Sequence, residues 1–366
     1  MLEKLRKKRF NRIISAHEDL ITSSKDLICD KPPSMLCLLL GLKYRKLFDT
    51  VSDKKLRRQI AWRDKLHPIF KKLISLFITQ NQVIENREAL RAGMEAMEPD
   101  CGITLPDEPV IWMINHRFKD DAAASLKAIY RHAYMVFGSV PQFYNTMDGV
   151  AAYLNGVIIV NRKVKATKDL VIPRSVQAIQ QGVDLAIWPE AGWNKTPNVL
   201  LTKLWPGIYK IAKETGAKIV HIVHYVKEPS LKLRGNDIHT VIDDPVSVEN
   251  MEEKDALEYL RDIEAGWYYL MMERYGKSTR EDALRGENNA NTAWELQLRE
   301  RIAPVERYDE EIEKTTDYRP KDIAWPEHVW DAVAGIKNIT PYNASHVAYA
   351  CNLVEQAHRE DFQRRF

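Results

Sequence analysis

The sequence has few cysteines, and they follow no pairing pattern. Among its 366 residues there are four, at Cys29, Cys37, Cys101 and Cys351. They form neither a Cys-x-x-Cys pair nor a spacing typical of metal ligands. Such scatter favours reduced thiols over a disulfide framework. We therefore expect a cytoplasmic protein without structural disulfides, and we expect no metal site.

Long apolar runs are also missing. The most apolar short run covers residues 35–42, and it falls far below the ~20 residues that a transmembrane helix needs. The basic N-terminus, which includes Lys7, Lys8 and Arg9, is followed by no apolar signal-peptide region. We expect a chain that can lie on a membrane but does not cross it.

Charge is distributed unevenly, although the net charge is only +3. Residues 1–98 hold 21 Lys and Arg against 12 Asp and Glu, and residues 249–366 hold 16 against 25. In the first part, apolar residues recur at roughly helical spacing between the cations. This pattern is typical of helices that dock at a membrane interface, and equally of a helical domain with a solvated basic face. We predict a basic helical region over 1–98 and an acidic, mainly helical extension over 251–366.

Between these regions, short apolar runs alternate with helical patterns over residues 99–250. This alternation predicts an α/β fold with a mostly parallel sheet flanked by helices. The predicted strands cover residues 108–114, 133–137, 156–160, 183–188, 218–225 and 237–242. The predicted helices cover residues 121–131, 147–154, 170–181 and 204–215, and a further helix is predicted over 252–275.

A histidine and an aspartate lie five positions apart after the first of these strands. Asn115 and His116 follow the strand, and Asp121 opens the next helix. Catalytic groups of α/β proteins gather at such strand ends, where His116 could act as a base that Asp121 orients. The spacing alone is weak evidence, because His239 and Asp244 repeat it, with His239 inside a predicted strand. On spacing alone, a turn histidine bonded to the backbone is the simpler interpretation.

Two further stretches place polar residues at strand ends. The strand that begins at Gly156 leads to Arg162, a cation suited to phosphate or carboxylate groups. The next strand leads into the loop over 188–192, where Glu190 offers a carboxylate and Gly192 allows close approach of a ligand to the backbone. Taken singly, the first stretch is better explained as a surface Arg-Lys pair, and the second fits a strand-ending turn with a solvated glutamate, which is common.

In order and spacing, these stretches resemble the motifs of the glycerolipid acyltransferases, the family that includes the bacterial lysophosphatidate acyltransferases. That family carries Asn-His-x4-Asp, a Gly-led strand ending in Arg, a Phe-Pro-Glu-Gly-Thr-Arg-Ser type of loop, and an apolar strand that usually contains Pro. The resemblance covers roughly residues 105–230, with His221 in the place of that Pro. The loop departs from the family, because Ala191 replaces Gly and Trp193 replaces Arg.

The resemblance implies acyl transfer from acyl-CoA or acyl-carrier protein to a hydroxyl of a lysophospholipid or glycerol-phosphate-like acceptor. His116 would be the general base and Asp121 would orient it. The residues expected to bind substrate are Asn115, Arg162, Glu190, Gly192 and Lys195. Of these, Lys195 would compensate for the missing loop arginine. No cofactor besides the acyl donor is implied, and the protein is expected on the inner face of the membrane as a peripheral protein.

Two alternatives use the same fold. A hydrolase would use His116 and Asp121 with water as the acceptor, although the chain lacks the Gly-x-Ser-x-Gly elbow of serine hydrolases. A non-catalytic protein would hold a lipid or a partner on the acyltransferase-like core; the altered loop at Ala191 favours this alternative and the intact pair opposes it. We expect no nucleic-acid partner, because the basic region has few aromatic residues suited to stacking and no recognition motif.

Overall fold

The computed structural model describes residues 52–77, 81–91, 103–116, 121–138, 147–160, 165–192, 204–226 and 237–275. The helices predicted before residue 52 and after residue 275 lie outside these ranges, as do Arg162, Trp193 and Lys195. Within the described ranges, no helix is both long enough and apolar enough to cross a membrane.

Seven strands form one sheet. In chain order they are β1 (Gln82–Ile84), β2 (Ile111–Ile114), β3 (Ala133–Gly138), β4 (Val157–Val160), β5 (Asp184–Ile187), β6 (Ile219–Tyr225) and β7 (Ile238–Ile242). Their order across the sheet is β1-β7-β6-β2-β5-β3-β4. The five strands from β6 to β4 are parallel, whereas β7 is antiparallel to β6 and β1 is parallel to β7.

Seven helices accompany the sheet in the described part of the chain. They are α1 (Asp53–Phe77), α2 (Arg87–Arg91), α3 (Asp121–Ala128), α4 (Met147–Asn155), α5 (Lys165–Gln180), α6 (Gly207–Thr215) and α7 (Glu253–Tyr275). A mostly parallel sheet with flanking helices confirms the predicted α/β class.

Apolar side chains cover both faces of the central strands. Ile111 and Met113 of β2 pack in one cluster with residues of α5, α6 and α7. Trp112 and Ile114 point to the opposite face and pack in a second cluster with α3 and with Ile74 of α1. Strands that are buried on both faces are rich in apolar residues, which explains the Ile-Trp-Met-Ile run of β2 and the two Ile-Val pairs of β6, each of which is followed by a buried histidine.

The structure corrects the sequence prediction at β1. Gln82–Ile84 falls within the helical region predicted over 1–98, yet it pairs with residues 238–240 of β7. This strand has three residues, of which Gln82 is buried and Val83 is exposed, so it lacks the apolar alternation by which longer strands are recognised. A part of the predicted helical region thus extends the sheet, while the domain boundaries at 98 and 250 stay predictions.

Gly156 is required by the backbone where α4 leads into β4. Its φ is +99°, a conformation that side chains with a Cβ rarely adopt. A Cβ at this position would also run into the ring of Tyr134. The glycine that begins this strand pattern is therefore explained by backbone conformation and by packing.

Candidate active site

The candidate residues that follow separate strands meet at one edge of the sheet. β2 lies between β5 and β6 and is parallel to both, so the carboxyl ends of the three strands point the same way. Asn115 and His116 follow β2, and the loop over 188–192 follows β5. This edge is where α/β proteins collect their ligands and catalytic groups.

His116 and Asp121 are in contact. His116 Nδ1 lies 2.6 Å from Asp121 Oδ2, whereas five extended residues would separate the two by about 16 Å. Asp121 is the first residue of α3, and its side chain is 2% exposed, against 20% for His116. When Nδ1 donates to the carboxylate, Nε2 of the neutral ring carries the lone pair that can accept a proton.

An aromatic wall stands beside the histidine. The ring centroids of His116 and Trp188 are 6.1 Å apart, and Phe137 packs against Trp188 at 5.4 Å. Trp188 is buried, and Phe137 is half-buried at the carboxyl end of β3. The imidazole therefore has an apolar surface on one side and the carboxylate of Asp121 at Nδ1.

Glu190 lies behind the histidine. Its Oε1 accepts a hydrogen bond from the backbone N–H of His116 at 3.1 Å, and its side chain is buried. The turn is tight, since Ala191 has a φ of +60° and its N–H donates to the carbonyl of Trp188. Glu190 is therefore buried, which excludes its interpretation as a solvated turn residue. Gly192, next to this turn, is buried as well. Contacts of either residue with substrate stay predictions.

Asn115 joins two strands. Its Nδ2 donates to the carbonyl of His224 and its Oδ1 accepts from the N–H of His224, both at 2.8 Å. The side chain is fully buried, and it continues the pairing of β2 and β6 by one step. Its predicted contact with substrate stays a prediction, while the observed contact fixes the start of the segment that carries His116.

No family model matches the chain, and no curated protein matches it either. Among solved structures, the chain is similar to the 1-acyl-sn-glycerophosphate (LPA) acyltransferase, PlsC, from Thermotoga maritima. The two are 15% identical, the match covers 62% of this chain and 83% of the other, and the TM-score is 0.39. A likeness this distant says nothing about substrate or activity.

The second His-x4-Asp spacing does not form a pair. His239 Nδ1 contacts Glu85 Oε1 at 2.8 Å, and its ring stacks on Tyr275 with centroids 3.5 Å apart. Asp244 instead pairs with Arg87 at 2.8 Å. Position at the carboxyl end of a parallel strand, rather than spacing, distinguishes His116 from His239.

Sequence reasoning missed the polar residues behind the pair. Ser125, His224 and Thr240 are buried and hydrogen-bonded to one another. They come from α3, β6 and β7, so no local pattern connects them. The available signal was the presence of two histidines, His221 and His224, within the buried strand β6, where a polar ring needs a partner.

Arg162 and Lys195 cannot be added to this geometry, since both lie outside the described residues. The described residues contain no group of three or more His, Cys, Asp or Glu side chains placed to hold a metal ion. The site that can be described thus consists of His116, Asp121, Trp188 and Glu190, with Asn115 beneath it.

Proposed function

We propose that the chain is an O-acyltransferase. It would move a fatty acyl group from acyl-CoA or acyl-carrier protein to a hydroxyl of a lysophospholipid or glycerol-phosphate-like acceptor. The observation that carries the proposal is the 2.6 Å contact between His116 and Asp121 at the carboxyl edge of the sheet. The order of motifs along the chain, which resembles the glycerolipid acyltransferases, supplies the reaction class.

His116 acts on the acceptor hydroxyl. Nε2 takes the hydroxyl proton as the oxygen attacks the thioester carbonyl, which gives a tetrahedral oxyanion. The carbon–sulfur bond then breaks, and the proton on Nε2 passes to the departing thiolate. Asp121 stabilises the imidazolium that exists between these steps. No covalent enzyme intermediate is needed, because the substrate hydroxyl takes the place of a serine.

The surrounding residues are assigned by their chemistry. The apolar wall of Trp188 and Phe137 would lie along the acyl chain beside the reacting carbonyl. Backbone N–H groups around Gly192 would stabilise the oxyanion. Arg162 and Lys195 would bind an anionic group of the acceptor, as cations suited to phosphate, and Glu190 would help to place it.

We further propose that the protein works from the cytoplasm on the inner face of a membrane. Four apolar side chains of α1 form a stripe with exposures between 39% and 61%, namely Leu66, Ile69, Leu73 and Leu76. Their spacing of three and four residues places them on one face of the helix. Lys65 and Lys72, both exposed, lie one turn before Ile69 and Leu76. Cations beside an apolar stripe suit an anionic lipid surface.

The test is mass spectrometry of the products formed from acyl-CoA and a panel of lysolipids. We compare the wild type with His116→Ala, and His239→Ala is the control because it removes a histidine that also contacts a carboxylate. Acylated lipid from the wild type and the control, but not from His116→Ala, supports the proposal. Turnover that survives His116→Ala rejects the mechanism.

The same assay separates the alternatives. Free fatty acid formed without acylated lipid would identify a hydrolase that uses water as the acceptor. Binding of lipid without turnover of any donor would identify a non-catalytic lipid-binding protein.

A further inference from the structure

A network of buried side-chain hydrogen bonds connects the first turn of α3 with β1. Ser125 Oγ donates to the carbonyl of Asp121 at 2.7 Å and contacts His224 Nε2 at 2.8 Å. His224 Nδ1 contacts Thr240 Oγ1 at 2.8 Å, and Gln82 Nε2 donates to that same oxygen at 2.8 Å. The acyl-transfer mechanism uses none of these side chains, yet each is buried.

The groups at the two ends of this network fix the direction of its hydrogen bonds. The carbonyl of Asp121 can only accept, so the Ser125 hydroxyl donates to it and its oxygen accepts from Nε2–H of His224. At the other end Gln82 Nε2 donates to Thr240 Oγ1, and because the neutral ring carries its proton on Nε2, Nδ1 accepts from the Thr240 hydroxyl. The network thus selects the neutral tautomer of His224 that is protonated at Nε2, and burial keeps the ring neutral by lowering its pKa to about 3.

The backbone of His224 is held independently by the side chain of Asn115, which donates to its carbonyl and accepts from its N–H. Asn115 directly precedes His116, and Ser125 links the ring of the same histidine to the backbone of Asp121. His224 therefore connects to both ends of the segment 115–121. The candidate base and its carboxylate stand at those two ends.

We propose that Ser125 and His224 are positioning residues for the His116–Asp121 pair. They hold the backbone of Asp121 at the distance from the end of β2 at which its carboxylate reaches His116 Nδ1. Neither touches substrate. The kinetic part rests on the proposed function, because placement of the carboxylate changes a rate only where His116 is a base. A displacement of 1 Å in a catalytic group lowers the rate about 10²-fold. We expect that the loss of one hydrogen bond of this network lowers kcat about tenfold.

Three variants and a matched control test the proposal. Ser125→Ala removes the central hydroxyl, His224→Leu removes both ring contacts, and His224→Gln restores a donor near the position of Nε2. Ser175→Ala is the control: Ser175 is also fully buried and also donates to the carbonyl four residues before it, at 2.8 Å. Both serine variants lose a hydrogen bond to the carbonyl four residues earlier, but only Ser125 is linked to Asp121 and His224.

Two measurements are made on each full-length variant. The first is the split between kcat and KM: Ser125→Ala and His224→Leu should lower kcat about tenfold with KM within about twofold of the wild type. His224→Gln should recover part of the loss, and Ser175→Ala should change neither constant. The second is the far-downfield proton NMR signal of His116 Nδ1–H, which should weaken or move upfield in the same two variants alone.

The NMR measurement needs no substrate, so it separates the two proposals. A signal that moves in Ser125→Ala, in a protein that turns over no donor, rejects acyl transfer and supports the positioning role. An unmoved signal with the same kcat as Ser175→Ala overturns the positioning role. Where Ser125→Ala does not fold, Thr240→Val replaces it, because this variant removes the donor to Nδ1 with little change in shape, and its results are judged by the same criteria.

Discussion

The carboxylate of Asp121 lies inside the protein, and the His116 ring that it contacts reaches the surface. Their atoms are 2.6 Å apart, but the exposed fractions of the side chains are 2% and 20%. A carboxylate held away from water interacts more strongly with a cation beside it than a solvated one does. The arrangement suits stabilisation of the imidazolium that the proposed mechanism forms between its two proton transfers.

Asp121→Asn should therefore lower kcat by about 10²–10⁴-fold, because an amide neither fixes the ring tautomer nor stabilises the imidazolium. The release of free thiol from acyl-CoA measures this rate. Asp244→Asn is the matched control, since Asp244 stands five residues after a histidine but pairs with Arg87. Equal rates in both variants would contradict the role given to Asp121.

Gly156→Ala should destabilise the fold by more than Gly182→Ala does. Both glycines have positive φ, +99° and +89°, so each alanine carries backbone strain of about 1 kcal/mol. A Cβ at 156 also meets the Tyr134 ring, whereas a Cβ at 182 meets nothing within 4 Å. Overpacking of this kind adds about 1–3 kcal/mol.

The free energy of unfolding in urea measures the difference between these two variants. Gly156→Ala should also lower the melting temperature by more than Gly182→Ala does. Equal losses would show that the Tyr134 ring moves aside at no cost.

The stability of the protein should fall as the pH falls from 6.5 towards about 4. Burial lowers the pKa of His221 to about 4, although Asp243 and the carbonyl of Leu260 act in the opposite direction. An unfolded histidine titrates near 6.5, so within this window the unfolded chain binds a proton that the native chain does not. The free energy of unfolding then decreases with decreasing pH, by on the order of a few kcal/mol for one such group.

Urea unfolding at several pH values checks this prediction, with His221→Gln as the test variant. The substitution should flatten the dependence on pH, because it removes a group that binds its proton at a higher pH in the unfolded chain than in the native one. An unaltered slope in His221→Gln would contradict the assignment.

Much of the fold follows from patterns that depend on near neighbours in sequence. Apolar runs that alternate with helical periods gave six of the seven strands, because central strands such as β2 and β6 are buried on both faces. β1 was missed because an edge strand of three residues with a buried Gln82 carries no such pattern. Its residues pair with residues of β7 that lie 156 positions later in the chain, and no local signal reports this pairing.

The contacts of the candidate site are likewise of two kinds, local contacts that the sequence predicts and long-range contacts that it does not. His116 and Asp121 are five residues apart, and a turn into α3 brings them together. The contact of Glu190 with the His116 backbone, and the link of Ser125 to His224, join residues that are 74 and 99 positions apart. Such contacts depend on the order of strands in the sheet, which motifs alone do not specify.

The apolar stripe of α1 should bind anionic lipid, and its removal should weaken that binding. Replacing Ile69 and Leu76 by serine removes two large apolar side chains from the proposed interface, which should lower the partition coefficient by more than about tenfold. The matched control replaces Val83 and Trp205 in the same way; their side chains are 46% and 51% exposed but lie off the stripe.

Flotation with phosphatidylglycerol vesicles at low salt measures the binding of both double variants. Rising salt should release the wild type, because Lys65 and Lys72 contribute by screened attraction. If the control pair weakens flotation as much as the stripe pair, binding depends on general hydrophobicity and not on this face of α1.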